Sequence, residues 1–447
     1  MSTEASGAKP QAHPGPLAGM RVLELAQIMA GPTCGMMLAD MGADVVKVEK
    51  LPGGDDARGY REPRINGVSA PFLIMNRNKR GIALDLKHPK GRDILLRLVE
   101  TADVLTENFR RGTLEKFGLG YDVLSKTNPG LIYCAVSGYG RTGPLGDKGG
   151  FDLIAQGFAG LMAITGEPGR APVKTGNPVA DINAGILAAA GIAAAYAHKL
   201  RTGQGQIVDT SLMEAALQQT YWQAAIYFAT GESPGPSGSA HVLTAPYQAF
   251  RASDGWINIG GANQANWERI AEVLGHPEWC GDPRFATNSA RMENLDALAA
   301  MMDAVLVTRT KEEWIRVFDA AGVPVGPVHS LGEALTHPQT LARGMVVDLV
   351  HPERLGEVVP LPEPATAVPD LDQLLGRFDS LGHGGELQRV AEVDDRPRQG
   401  GFLGAAGDAA DEGAVDLEDV DGEALEVAQR GVAGADVVQR QANAELP

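Results

Sequence analysis

The sequence predicts an α/β fold, a mostly parallel sheet with helices on both faces, joined to a smaller α+β domain. Three observations support this. Apolar runs of strand length alternate with helical patterns from Met20 to Ser137. The pattern then changes to a hairpin signal followed by helices. The length, 447 residues, exceeds what a single hydrophobic core usually fills.

Residues 20–25 form an apolar run that reads as a strand. Gly31-Pro32 interrupts it, a helical pattern covers 33–41, and 43–49 reads as a second strand. This strand–helix–strand unit begins a doubly wound sheet. Helix at 91–101, strand at 102–106, helix at 121–127 and strand at 131–137 continue the alternation. Residues 181–200 form a long Ala-rich helix with small residues on all sides, which predicts burial. Its most apolar part, 182–196, is shorter than a membrane span. Another helix is expected at 211–227, then a loop at 231–239 (GESPGPSGS). Strands at 247–252 and 256–260 flank Ser253-Asp254-Gly255, a hairpin signal. Helices follow at 265–274, 294–307 and 311–321, the last opened by a Thr310/Glu313 capping box.

The domain limits follow. Residues 1–16 are a polar, disordered tail. Residues 17–230 form the large domain, 231–327 the small one, and 328–360 return to the large domain. Residues 361–447 are an atypical acidic tail. From Leu371 onward there are 17 acidic and 6 basic residues, with no Lys and little periodicity. Such a stretch is expected to be disordered. The abrupt change also fits the product of a reading-frame shift.

The net charge of −17 excludes nucleic acid as a default partner. Most of that charge lies in the tail. The rest keeps every Lys, so an anionic ligand is compatible with it. Cys34, Cys134 and Cys280 are scattered and lack metal spacing, which predicts free thiols in a reducing cytoplasm and no metal site. No targeting segment precedes the first strand, and no membrane association is expected. Gly31 and Gly35 open a helix after a strand, but a full G-x-G-x-x-G is missing, so nicotinamide binding is not indicated. Asp181 begins the long helix. Read by itself, it is either an N-cap or a carboxylate steadied for chemistry.

Several strings resemble the CoA-transferases of family III. They are AGP at 30–32, GADVVKVE at 42–49, NRNKR at 76–80 with LDLK at 84–87, and ENFR at 107–110. GYGRTGP at 138–144, FDLIAQ at 151–156, GLM at 160–162, TGQGQ at 202–206 and PYQ at 246–248 follow in order. The resemblance is closest to the branch using succinyl-CoA and short dicarboxylic acids. It implies a Rossmann-like large domain, a small domain, and an interlocked homodimer. It also implies that Asp181 is the nucleophile, forming an aspartyl anhydride and then an aspartyl-CoA thioester. For CoA it implicates Ala30, Lys50, Leu84, Lys87, Asn108, Phe109, Arg110, Lys116 and Lys148. CoA thioester and a small carboxylic acid are then substrates, with no resident cofactor. The turn at 27–31 becomes a candidate source of N–H groups for an anionic intermediate, although Met29 stands where relatives often have Gln. The loop at 231–239 is expected to be a lid or a plain linker. Two rivals stand beside it: a racemase of the α-methylacyl-CoA type, which shares the fold, and a silent CoA-binding protein, a rival of another class. The racemase pairs the Asp with an upstream His. Here that place holds Phe151, followed by Asp152, and no His lies between His88 and His198.

Overall fold

Six parallel strands, Arg21–Glu24, Asp44–Lys50, Lys79–Leu84, Val104–Glu107, Ile132–Ser137 and Ile207–Ser211, make one sheet in the computed structural model. Numbered along the chain, they lie in the order 3-2-1-4-5-6. Ala428–Gln429 pairs antiparallel to Lys79–Leu84 at the edge. The structure describes residues 15–65, 67–350, 358–362 and 428–429. The expectations for residues 1–14 and for most of the acidic tail lie outside the described residues.

The chain divides into two units. One comprises Met1–Ala159, Asn177–Ala216 and Leu341–Pro447; the other comprises Gly160–Gly176 and Leu217–Thr340. The parallel sheet belongs to the first. Its central strands are buried on both faces, as parallel sheets require, and so read as continuous apolar runs. Leu23, Leu105, Tyr133, Leu95 and Leu124 form the core beneath one set of helices.

Two strands of the parallel sheet were not foreseen. Lys79–Leu84 (KRGIAL) lacks apolar alternation because its first residue, Lys79, is a buried charge. Ile207–Ser211 is short and half polar. The helix expected at 211–227 is two helices. Ser211 ends the last strand and caps Leu212–Gln218 by accepting from the Glu214 N–H at 3.1 Å. A second helix, Tyr221–Thr230, follows Thr220. No Gly or Pro marks that break.

The long helix spans Val179–Thr202, and its 24 residues are apolar enough to cross a membrane. It packs instead against the Pro32–Asp40 and Asp152–Phe158 helices and two strands of the sheet. Burial explains its Ala-rich composition.

The second unit holds an antiparallel sheet in the order Val325–Pro327, Gly255–Gly260, Tyr247–Ala252. Ser253-Asp254 makes the hairpin turn, as the sequence predicts. Helices Gln264–Val273, Leu295–Leu306 and Lys311–Ala320 pack Trp267, Met302, Trp314 and Phe318 onto it. The Thr310/Glu313 capping box is present. The 231–239 loop lies on the Gly160–Gly176 segment, with the Gly238 N–H donating to the Gly166 carbonyl at 2.9 Å.

One charge is buried in this core. Arg291 is 1% exposed and stacks over the Trp267 ring, with its carbon 5.3 Å from the centroid. It donates to the carbonyls of Ala245 at 2.7 Å and Phe285 at 2.9 Å, and to Gln264 Oε1 at 3.0 Å. Removing it strands three acceptors. Arg291→Met is therefore expected to destabilise this unit by about 3 kcal/mol, seen as a lower urea midpoint with an unchanged slope.

Candidate active site

In a doubly wound sheet, ligands bind beyond the carboxyl ends of the strands, where the strand order reverses. Here the reversal lies between Arg21–Glu24 and Val104–Glu107. The chain leaves these strands at Leu25 and Asn108, and Asn108 ties them together. Its side-chain oxygen accepts from the Gln27 N–H at 2.9 Å, and its amide donates to the Gln27 carbonyl at 2.8 Å.

The turn from Ala26 to Pro32 rests on buried charges. Lys47 Nζ donates to the Ala26 carbonyl at 2.8 Å and contacts Glu24 at 3.0 Å and Asp55 at 2.8 Å. Lys79 Nζ donates to the Pro32 carbonyl at 2.9 Å and pairs with Glu24 at 2.6 Å. Asp55 accepts from the Ile28 N–H at 3.0 and 3.2 Å. Glu24 and Asp55 are completely buried, and Lys47 and Lys79 nearly so. Burial alone would lower both lysine pKa values. For Lys47 the Glu24, Asp55 and Glu49 carboxylates win, and its pKa lies above the usual value. For Lys79 burial and the Lys47 charge win over Glu24, bringing it to about 8. Ile28 has a φ of 70°, a left-handed conformation that a β-branched residue adopts at a cost of about 1–3 kcal/mol. Two glycines make room here. A Cβ on Gly31 would lie 2.0 Å from Ala26 Cβ, and one on Gly35 would lie 1.8 Å from Glu24 Oε2. The sequence reading gave Glu24 and Glu49 no role and passed over Lys47 and Asp55. A lysine at the centre of the apolar run VVKVE was the available signal.

A cleft of about 180 Å³ opens beside this turn. Lys50, Leu84, Lys87 and Phe109 line it, so the structure brings four of the nine residues implicated in CoA contact to one place. Lys50 forms an exposed ion pair with Asp56. Phe109 is set by the carboxylate of Glu107, which accepts its N–H at 2.7 Å. Glu107 also meets the Tyr133 hydroxyl at 3.1 Å and pairs with Arg141. Burial lifts its pKa to about 6, against the opposing pull of Arg141. Ala30 is buried in the turn, and Asn108 has spent its amide on Gln27. Arg110 is exposed and lies against Gly149. Lys116 and Lys148 are exposed and do not line the cleft; Lys148 sits 5.6 Å over the Tyr139 ring.

Asp181 is not the N-cap of the long helix. The helix starts at Val179, which puts Asp181 at its third position. The capping acceptor comes from elsewhere. Asp152 Oδ1 accepts from the N–H groups of Ala180 at 2.8 Å and Asp181 at 3.3 Å, and Asp152 Oδ2 accepts from Gln156 Nε2 at 2.6 Å. The Asp181 carboxylate is thus left over from capping. A helix N-terminus favours a negative charge, yet burial and the neighbouring Asp152 charge outweigh it. They push the Asp181 pKa up to about 7. A carboxylate raised by desolvation is the kind of perturbed group found at reactive sites.

A model of CoA-transferase family III matches residues 17–373. The chain belongs to that family. Among curated relatives, the succinate–glutarate CoA-transferase of Agrobacterium fabrum is 40% identical over 77% of this chain and 87% of its own. The succinyl-CoA–D-citramalate CoA-transferase of Chloroflexus aurantiacus is 38% identical over 83% and 92%. Among solved structures, a CAIB/BAIF family protein from Brucella suis superposes with a TM-score of 0.70 at 38% identity. That match covers 82% of this chain and 99% of the other. This family III CoA-transferase is therefore an enzyme that exchanges CoA between acids, as the sequence reading held.

The raised Asp181 pKa has a thermodynamic consequence. A carboxyl group that keeps its proton longer when folded contributes stability below its unfolded pKa, near 4. That contribution is lost as pH rises through about 7. Asp181→Asn is expected to stabilise the protein at pH 8 by roughly 2–4 kcal/mol, with the difference closing near pH 4. Thermal melts of both proteins across that range test it.

Proposed function

We propose that this enzyme moves CoA from succinyl-CoA to a short dicarboxylic acid through covalent intermediates on Asp181. The observation that carries this reading is the Asp181 carboxylate itself: largely desolvated, beside another carboxylate, and released from capping duty by Asp152. The relatives' named substrates, succinyl-CoA with glutarate or citramalate, support the choice of acids.

The chemistry follows from the group. An Asp181 oxygen attacks the thioester carbonyl, the C–S bond breaks, and CoA thiolate leaves a mixed anhydride. The thiolate attacks the aspartyl carbonyl, the anhydride C–O bond breaks, and the first acid departs. The acceptor carboxylate then displaces thiolate from aspartyl-CoA, forming a second anhydride. Thiolate attack on its acyl carbonyl releases the new thioester and restores Asp181. No net proton is taken up. The Met29, Ala30 and Gly31 N–H groups, not spent on Asn108 or Asp55, suit the tetrahedral anions, and the Pro32–Asp40 helix that follows the turn packs on the Asp181 helix. Water must be excluded while the anhydride exists.

For CoA, Lys50 and Lys87 suit phosphate groups, and Phe109 suits the adenine face. The strand order supports a Rossmann-like description of the large unit. A homodimer is supported by the Tyr221–Thr230 helix, which has no buried residue and exposes Tyr221 (77%) and Phe228 (83%). A cytoplasmic location is supported by three free cysteines. Transfer is favoured over racemisation because Phe151 stands where the partner His would be needed, and Asp152 after it is engaged in capping.

Mass spectrometry of succinyl-CoA with a panel of acids tests the proposal. Asp181→Ala is expected to lower exchange at least about 1,000-fold while CoA affinity stays within about threefold. In the wild type, kcat/KM is expected to rise with pH to a plateau above about 7, as Asp181 ionises. Exchange surviving in Asp181→Ala would overturn the reading.

A further inference from the structure

Three consecutive backbone N–H groups, those of Met29, Ala30 and Gly31, have no acceptor among the described residues. Ala30 and Gly31 are buried. Buried, unpaired donors are rare because each gives up a hydrogen bond to water. A left-handed residue next to right-handed ones turns successive N–H groups to one side, forming an anion-binding concavity. Ile28 is left-handed, and Gly31 is right-handed at φ −66°.

Ile28 does not favour that conformation. What holds it is Asp55, whose two carboxylate oxygens accept its N–H at 3.0 and 3.2 Å. Asp55 is itself fixed: fully buried, 2.8 Å from Lys47 Nζ, and accepting from the Ala57 N–H at 2.9 Å.

We propose that Asp55 is a positioning residue for acyl transfer, locking Ile28 left-handed so that the Met29, Ala30 and Gly31 N–H groups converge on the acyl oxygen. Asp55 touches no reacting atom. The inference rests on the reading that this turn receives the oxygen while Asp181 attacks.

Asp55→Ala removes the acceptor but leaves Lys47 paired with Glu24. Single-turnover release of CoA from succinyl-CoA is expected to slow about 100-fold, the scale of losing oxyanion donors. Succinyl-CoA affinity should stay within about threefold, so the loss falls on kcat. Adding Ile28→Gly, which takes up the left-handed backbone unaided, is expected to restore at least about tenfold of the rate. A merely structural defect would not be mended by an added glycine. If Asp55→Ala does not fold, Asp55→Asn decides, because its amide oxygen still accepts from Ile28. Its loss should remain below about tenfold, and a 100-fold loss would assign the effect to charge and overturn the proposal. Unchanged CoA release in folded Asp55→Ala, or no recovery with glycine, would also overturn it. Hydroxylamine trapping separates the two ideas. Failure to label Asp181 in the wild type removes the nucleophile reading, and the Asp55 comparison is then decided by exchange turnover.

Discussion

The large unit depends on one buried arrangement of charge. Glu24, Lys47, Lys79 and Asp55 come from four successive segments and meet beneath the first crossover, each satisfied by the others or by a backbone carbonyl. Replacing such a cluster with apolar groups of the same volume often costs nothing in stability. Its presence here is better explained by direction. Apolar packing fills a volume, whereas two ammonium groups fix the Ala26 and Pro32 carbonyls at stated distances, and a carboxylate fixes the amide between them. The turn that faces the cleft is thus clamped at both ends and in the middle.

A second ionic arrangement repeats the idea across the reversal of strand order. Glu107 holds the backbone of Phe109 while pairing with Arg141, and Arg141 reaches Glu115 at 2.8 Å. The strings ENFR and GYGR, which look like separate surface motifs in sequence, are two sides of one buried contact. Glu107 and Arg141 order the frame more than they meet solvent.

Much of the fold was legible because burial leaves a periodic trace. The apolar runs at 20–25, 43–49, 102–106 and 131–137 became strands within two residues, and the capping box at Thr310 marked its helix start. What escaped were places where tertiary partners replace local preference. The KRGIAL strand is polar at its start because Lys79 pairs with Glu24 in the core, and the helix that begins where the last strand ends at Ser211 stops at Gln218 with no Gly or Pro to mark it. The site divided in the same way. Four of the nine expected CoA contacts share a cleft, since the family motif fixes their positions on strand ends. The role of Asp55 was not legible, because a buried acid in a Gly-Gly-Asp-Asp stretch looks like an ordinary turn. Sequence alone left Asp181 open as either a cap or a reactive carboxylate, and the folded chain supplies the cap from Asp152.

The division into units has an implication for synthesis. The chain crosses between them at 159/160, 176/177, 216/217 and 340/341. Neither is a single uninterrupted stretch. As the polypeptide emerges from the ribosome, the parallel sheet lacks its last edge until Ile207–Ser211 appears, by which time Gly160–Gly176 has already emerged without the partners it will pack with. The rest of its unit spans Leu217–Thr340, so that short piece emerges before any of those residues. Domains of most proteins fold one after another from the N-terminus; here the two maturation schedules are interleaved, and the exposed interval falls on the segment immediately before Asp181.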